Sequence, residues 1–475
     1  MNGFVSVLLD IFRQPSVIVA LISLIGLALQ HKKAADIMQG TIRTLVGFLV
    51  LASGAGVVSN SLTPFGDMFQ HAFHVQGVVP NNEAVVGTVL VKYGSEAALI
   101  FFFGMIVNIL LSMTSRFKYI YLSGHVAFYM ATMIAVIFEV SGLPTWGVIL
   151  WGAIAQGLVV TISPALVQPF MRDVTGSDDV ALGHTGGSGI ALGGLVARLT
   201  RSKKHPSRST EDIKFPSGLG FLRDTTVIVA LSMAVIYIIV ALCAGPVYIE
   251  SKLSQGQNFI VFSILQAATF SAGVFIILAG VRVVLGEIVP AFKGISEKLV
   301  KNAKPALDVP VTFTFAPNAV LIGFLGSLVG GIVGMVIMIV FHTTIIIPGV
   351  VACFMTGAAA GVIGNGVGGI RGAITSSLVN GLAISFLPLF LLPVLGSVGL
   401  GSATYSDADF GVAGLIFGYA NRAGGQVALI AAVIVSVVVF YVASVLLTQR
   451  EKSRKAVAAD EPSPAVNGGD VKTED

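Results

Sequence analysis

The sequence predicts an all-α polytopic membrane protein, and three observations carry that expectation. Of 475 residues, 55% belong to the set AVILMFWYC and only 11% are charged. Eleven long apolar runs follow one another along the chain. Short motifs of the first half recur in the second. A soluble chain carries roughly 25% charged residues, so this one has too little polar surface to face water. That sets aside a soluble enzyme, a nucleic-acid binder and a disordered scaffold. At about 40 residues per span and connection, the length accommodates roughly ten to twelve helices. The runs are continuous rather than alternating, which sets aside an outer-membrane β-barrel.

The runs fall at about 16–30, 41–59, 97–113, 119–141 and 144–166. After a polar gap they resume at about 225–248, 258–288, 318–341, 344–363, 376–398 and 426–448. The first lacks a basic leader and a small-residue cleavage site, so it reads as a retained span. Two further stretches, 180–197 and 410–420, are glycine-rich and too broken for ordinary spans. Irregular backbone at membrane depth survives only where protein or a water-filled cavity covers it, so both are expected to be re-entrant hairpins.

Charge placement gives the orientation. The linker 198–224 carries Arg198, Arg201, Lys203, Lys204, Arg208, Lys214 and Arg223 against three acids, and Arg450, Lys452, Arg454 and Lys455 open the tail. Lys32, Lys33 and Arg43 mark the first loop. Excess Lys and Arg marks the cytoplasmic side, which puts linker and tail inside and the N-terminus outside. The polar tail 449–475 is expected to be disordered. Cys243 and Cys353 lie in apolar runs without CxxC spacing, so neither a disulfide nor a zinc site is expected.

The halves repeat each other. SVIVAL from Ser16 recurs as TVIVAL from Thr226. GFLVLASGAGVVSNSLTPF from Gly47 aligns with GVFIILAGVRVVLGEIVPA from Gly273, pairing Gly54 with Gly280 and Pro64 with Pro290. LSGHVAFYM from Leu122 aligns with IPGVVACFM from Ile347, and GHTGGSG from Gly183 loosely with GYANRAGG from Gly418. Internal repeats in a membrane chain point to a transporter whose site lies where the repeats meet. The expected architecture is about 11 transmembrane helices plus re-entrant hairpins, in two inverted structural repeats. Residues 1–197 form the first repeat, with 1–75 as scaffold and 76–197 as transport core. Residues 225–448 form the second, with 225–295 as scaffold and 296–448 as core.

A charge at the bilayer centre costs about 2.5–3.5 kcal/mol or more and normally faces a cavity or a partner. Asn81, Asn82 and Glu83 enter an apolar stretch after Pro80, where a carboxylate accepts hydroxyl hydrogens; the alternative is a helix cap. His125, flanked by Ser123 and Tyr129, follows a glycine that lets backbone approach a ligand. His184 sits with Thr185 and Ser188 in a glycine-rich break suited to a hairpin tip. Asp308 lies among Pro305, Pro310 and Pro317, which no single regular helix accommodates; pairing with Lys304 is its structural alternative. Arg282 with Glu287 reads as an ion pair, Arg371 as a hinge anchor, and His71, His74 and His342 as loop residues. Trp146 and Trp151 fit an interfacial belt. No phosphate loop, HExxH or CxxC pattern is present, so no catalytic residue, metal or cofactor is expected.

At these residues the sequence resembles the ascorbate-specific IIC permeases of the bacterial phosphoenolpyruvate-dependent phosphotransferase system. The matching stretches are GTIRTLVGFLVLASGAGVV, LSGHVAFYM, ALGHTGG, FTFAPNAVLIGF and IIPGVVACF…GGIRGA. The resemblance implies a homodimeric elevator permease in the bacterial cytoplasmic membrane. It implies L-ascorbate or a related sugar acid or polyol as substrate, and separate cytoplasmic IIA and IIB chains that supply the phosphoryl group. Gly54, His125, His184 and Asp308 match positions that line the family's site; Ala55, Tyr129 and Thr185 stand beside them, and Asn82 and Glu83 join the candidate site on the residue reading above. The sequence departs from the family at Ala52, Ala55, Ala127, Tyr129 and Thr185, where glutamine, serine or methionine is familiar. The alternative function is an ion-gradient-driven secondary transporter of a small hydroxylated or anionic metabolite.

Overall fold

A computed structural model describes residues 15–73, 77–202, 204–213, 224–396, 400 and 404–460. The helices are α1 (Pro15–Leu29), α2 (Ala34–Phe73), α3 (Asn82–Thr114), α4 (Gly124–Glu139), α5 (Thr145–Thr175) and α6 (Gly187–Thr200). After the linker come α7 (Thr225–Ala244), α8 (Pro246–Tyr248), α9 (Phe259–Leu299), α10 (Pro310–Phe313), α11 (Pro317–Val340), α12 (Val350–Gly396) and α13 (Ala408–Asp460). Five very short strands interrupt them: β1 (Gly77–Val78), β2 (Tyr119–Tyr121), β3 (Ala181–Leu182), β4 (Lys304–Leu307) and β5 (Ile345–Ile346).

Six described helices are long and apolar enough to cross a membrane, or seven if the bent pair Val229–Ala244 and Pro246–Leu253 forms one span. This is a multi-pass helical membrane protein. Its outward faces are apolar, with Val235, Leu242, Val336 and Val438 among the exposed side chains, as lipid contact requires.

The 47 residues of α12 are not one rod. An unbroken helix would run about 70 Å, more than twice the hydrocarbon core of a bilayer. Gly368 and Gly369 leave helical geometry, Gly369 at φ 63° and ψ −152°. Asn380 Nδ2 then donates to Thr356 Oγ1 at 2.9 Å, although 24 residues separate them. The legs fold back on each other. Their contact is lined with small residues, including Gly364 against Gly372, which let membrane helices approach closely. In α13 the same conformations recur at Gly424 and Gly425, and Ser436 borders the same recess as Val412 and Ile416.

The stretch 180–197 goes into the helical bundle and comes back beside α5. Asp178 accepts from Arg172 Nε at 2.8 Å, and further in, Ser163 Oγ donates to the carbonyl of His184 at 3.1 Å. From there α6 returns, until Arg198 reaches Asp173 at 2.7 Å. Only the outbound leg is helical; the inbound leg is extended through β3. The segment 410–420 is likewise the outbound helix of a second excursion, and its extended tip lies upstream at 404–407. The expected ordinary span 119–141 differs too. Its first residues form β2, and a helix of 16 residues follows, because the backbone of Tyr119–Tyr121 pairs with β4 instead of with itself.

Helix α13 runs on to Asp460, so the chain stays helical past the expected boundary at 449; residues 461–475 lie outside the described residues. So do His74, Lys203, Lys214 and Arg223 and the side chains of Arg282, Glu287, Ala52 and Arg454. His71 stacks on Tyr248 at 3.6 Å. Cys243 and Cys353 are free.

The two glycine turns differ in surroundings. A side chain at Gly369 would meet the carbonyl oxygens of Ser207 and Arg208, whereas nothing lies within 4 Å of one at Gly425. Both backbones sit in a region nearly reserved for glycine, at about 1–3 kcal/mol for other residues. Gly369→Ala is therefore expected to lower the unfolding midpoint of the detergent-purified protein by clearly more than Gly425→Ala. Equal losses would contradict the packing described at the first turn.

Candidate functional site

Three parallel strands build the floor of the site. β4 lies between β2 and β3, with Tyr119 opposite Lys304, Tyr121 and Ala181 both opposite Ala306, and Leu182 opposite Leu307. Each strand hands its chain to a candidate residue: β2 to His125, β3 to His184, β4 to Asp308. The strands are extended for local reasons as well as by pairing. Pro305 disfavours a helical Lys304. Gly183 must lack a side chain, because a Cβ there would sit 2.6 Å from the carbonyl oxygen of Ala306; its amide donates to Leu307 at 2.7 Å. Lys304 anchors the start of the central strand on Asp178, not on Asp308. Partial burial raises the Asp178 carboxyl, but hydrogen bonds from Arg172, Lys304 and Gln168 outweigh it and bring it down to about 2. Its stabilising effect is complete above about 3.8 and is lost as pH falls through about 2, so this anchor is intact at neutral pH.

The three candidates converge. His125 Nε2 lies 3.8 Å from Asp308 Oδ2, and His184 Nε2 lies 3.9 Å from Asp308 Oδ1. The amide of Gly186 donates to His184 Nδ1 at 2.9 Å, so in the neutral ring Nε2 holds the proton and points it towards Asp308. Both gaps exceed a direct hydrogen bond. A hydroxyl set to one side of either gap can lie about 2.8 Å from both atoms. Among the described residues, His125 Nδ1 and Ser123 Oγ are buried without a hydrogen-bond partner.

His125 and His184 line a cleft with about 40 Å³ of space. Its polar lining is Asn82, His125, Tyr129, His184, Ser406 and Asp407. Val351, Ala352, Phe354 and Met355 from α12 and Val229 and Val274 from α7 and α9 supply the apolar wall. Tyr129 stands edge-on to His125 at 5.9 Å. Asn82 is more than a helix start: its Oδ1 accepts from the amide of Ser406 at 2.8 Å. Gly54 is buried on α2 and is not among the lining residues. The side chains of Ala55 and Glu83 lie outside the described residues.

The family model described as the PTS system sugar-specific permease component, EIIC-GAT, matches residues 10–409. The chain belongs to this permease family. A similar protein is the ascorbate-specific PTS system EIIC component of Mycoplasma pneumoniae (strain ATCC 29342 / M129 / Subtype 1), 28% identical over 438 residues. The match covers 81% of this chain and 66% of that relative, so the chain spans just under two thirds of the relative's length.

In this permease the geometry adds residues that sequence reasoning passed over. Thr185 Oγ1 donates to Asp407 Oδ2 at 2.6 Å, and the amide of Asp409 donates to the carbonyl of Thr185 at 2.7 Å. Asp409 also accepts from Ser163 Oγ at 2.6 Å, from the Ser188 amide at 2.7 Å and from the Ser188 hydroxyl. The tips of the two excursions are thus bonded to each other, with His184 beside both: its Nδ1 is 3.9 Å from Asp407. The signal was present in the sequence as two acids in TYSDADF, between apolar runs where carboxylates are costly. The apolar stretch that drew attention begins just after them.

Asp409 joins the tips, so its loss leaves buried donors bare. Asp409→Ala is expected to destabilise the purified permease by about 1–3 kcal/mol for each orphaned donor, read as a lower unfolding midpoint. Asp409→Asn, which keeps one acceptor oxygen, should lose less; an unchanged midpoint for the alanine variant would disprove the tip-to-tip role.

Proposed function

We propose that this chain is the membrane-embedded IIC component of a phosphotransferase system that imports ascorbate or a related sugar acid or polyol. Separate IIB and IIA proteins phosphorylate the substrate as it arrives inside. The meeting of Asp308 with His125 and His184, which line the cleft, carries this reading, together with membership of the permease family. The carboxylate accepts substrate hydroxyl hydrogens, and the imidazoles meet its hydroxyl or enolic oxygens. Thr185 acts through Asp407, Tyr129 walls the cleft, Glu83 is assigned to the site as a carboxylate in an apolar stretch, and Gly54 and Ala55 by resemblance.

The architecture proposed is eleven spans in two inverted repeats, counting the two legs of α12 separately and α13 past Gly425 as the last. Pairing supports it: β1 pairs with β5 as β4 pairs with β2, and the amide of Asn81 bonds Thr404 as β4 bonds β3. Residues 1–75 and 225–295 form the scaffold and dimer contact. Residues 76–197 and 296–448 form a core that slides past it. The wall from α7 and α9 is then the fixed side of the cleft, and the N-terminus lies outside with linker and C-terminus cytoplasmic.

His125→Ala or His184→Ala removes a hydrogen bond to substrate of about 1–3 kcal/mol, roughly 5- to 150-fold in affinity, with expression unchanged. Asp308→Asn should weaken binding likewise. Labelled-substrate binding to purified protein reads these losses; three variants at wild-type affinity would refute the site. Uptake is expected to survive collapse of the proton gradient and to yield phosphorylated product. Uptake abolished by a protonophore at constant phosphoenolpyruvate would support the gradient-driven alternative. An impermeant thiol reagent should leave Ser207→Cys unlabelled in intact cells, and labelling there would reverse the orientation.

A further inference from the structure

The linker between the halves takes no part in the cleft, yet residues 207–213 are bonded into the bundle along their length. The amide of Ile370 donates to the carbonyl of Arg208 at 2.9 Å, and that of Arg371 to Ser207 Oγ at 3.2 Å. Thr210 N donates to Asn365 Oδ1 at 2.9 Å. Glu211 Oε1 accepts from the amides of Asn318 and Ala319 at 2.9 and 3.2 Å, capping the start of α11. Asn318 Nδ2 donates back to the carbonyls of Thr210 and Ile213, both at 3.1 Å. The FAPNAV motif is thereby explained: its asparagine holds the linker.

This bonding fixes an array of cations. Arg201 ends α6 beside the turn of α12, its Cβ 4.0 Å from where a Cβ of Gly368 would stand. Arg208 and Arg371 follow around the same turn, Lys204 lies in the linker between Arg201 and Arg208, and all four are exposed. Among the described residues none of the four has an acidic partner within ion-pair distance, whereas Arg198 is paired with Asp173. The linker's own acids are occupied: Glu211 caps α11, and Asp212 Oδ2 accepts from the Ser209 amide at 3.1 Å. A loop that only marked the cytoplasmic side needs cations but no fixed geometry. Ordering residues costs about 1–2 kcal/mol each; a preorganised array of unpaired charges is suited to an anionic surface, because that cost is met before binding.

We infer that the ordered linker and the turn of α12 form a docking platform for an acidic, phosphoryl-carrying partner protein. The inference rests on the permease reading above. The platform moves with the core, since it is bonded to α11, which follows Asp308, and to α12, which carries part of the cleft wall. A partner held there travels with the substrate site.

The test uses the full chain in vesicles of phosphatidylcholine alone, with the IIB protein of the same organism, phosphorylated and titrated on the linker side. Arg208→Glu with Arg371→Glu is expected to raise the half-saturating partner concentration about tenfold or more. Arg208→Gln with Arg371→Gln should raise it less, and added salt should raise it in the wild type. Substrate affinity measured without partner should stay within about twofold, which also reports intact folding. An unchanged half-saturation at unchanged substrate affinity overturns the platform. So does a loss seen only in vesicles containing phosphatidylglycerol, which would assign the array to lipid headgroups. Wild-type protein that makes no phosphorylated product at saturating partner removes the permease reading itself, and the platform with it.

Discussion

The pairing of β4 with β2 and β3 is the constraint on which the site depends. Peptide groups that leave a helix inside a membrane lose their intrahelical bonds and find no water to replace them. Here two broken segments, β2 and β3, satisfy their backbones on a third, β4, and the break occurs where all three meet. The strands are only two to four residues long, so they add little stability of their own. Their effect is positional: they fix where three chains re-enter helix, and therefore where His125, His184 and Asp308 point.

A second layer of bonding joins the two excursions. Thr185 to Asp407, and Asp409 to Thr185, Ser163 and Ser188, tie one tip to the other. Buried carboxylates are costly unless fully bonded, and Asp409 is bonded on both oxygens. The two acids have different surroundings. Asp407 borders the cleft, while Asp409 faces the recess behind it beside Ile162, Val412 and Ile416. One acid borders the cleft and the other belongs to the frame.

Among the described residues the lining of the cleft contains one carboxylate, Asp407, and no lysine or arginine; the Asp308 carboxylate lies behind the two imidazoles. Such a surface recognises hydroxyl hydrogens more readily than a bare anion. Thr185 and Tyr129 stand where the resemblance implies glutamines, and the structure gives them other work: a tip-to-tip bond and an aromatic edge against His125. Among the described residues, Nδ1 of His125 and the hydroxyl of Ser123 are buried with no hydrogen-bond partner, and buried polar groups left unpaired are costly.

Much was legible in the sequence, because lipid imposes simple rules. Continuous apolar runs determined the helical, multi-pass class; prolines and glycines marked where helices break; and the cost of buried charge singled out His125, His184 and Asp308. What the sequence left open is which broken segment bonds which, since strand pairing between residues such as Tyr121 and Ala306 leaves no periodic signature in either partner. Without that pairing, 119–141 looks like an ordinary span, and Asp407 and Asp409 look like loop residues before an apolar stretch. The role of Asn318 was hidden for the same reason: its partners lie more than a hundred residues away in the linker. Local chemistry determined the elements. Only the tertiary structure decided the site, because unsatisfied peptide groups in a membrane are resolved between distant segments rather than within one.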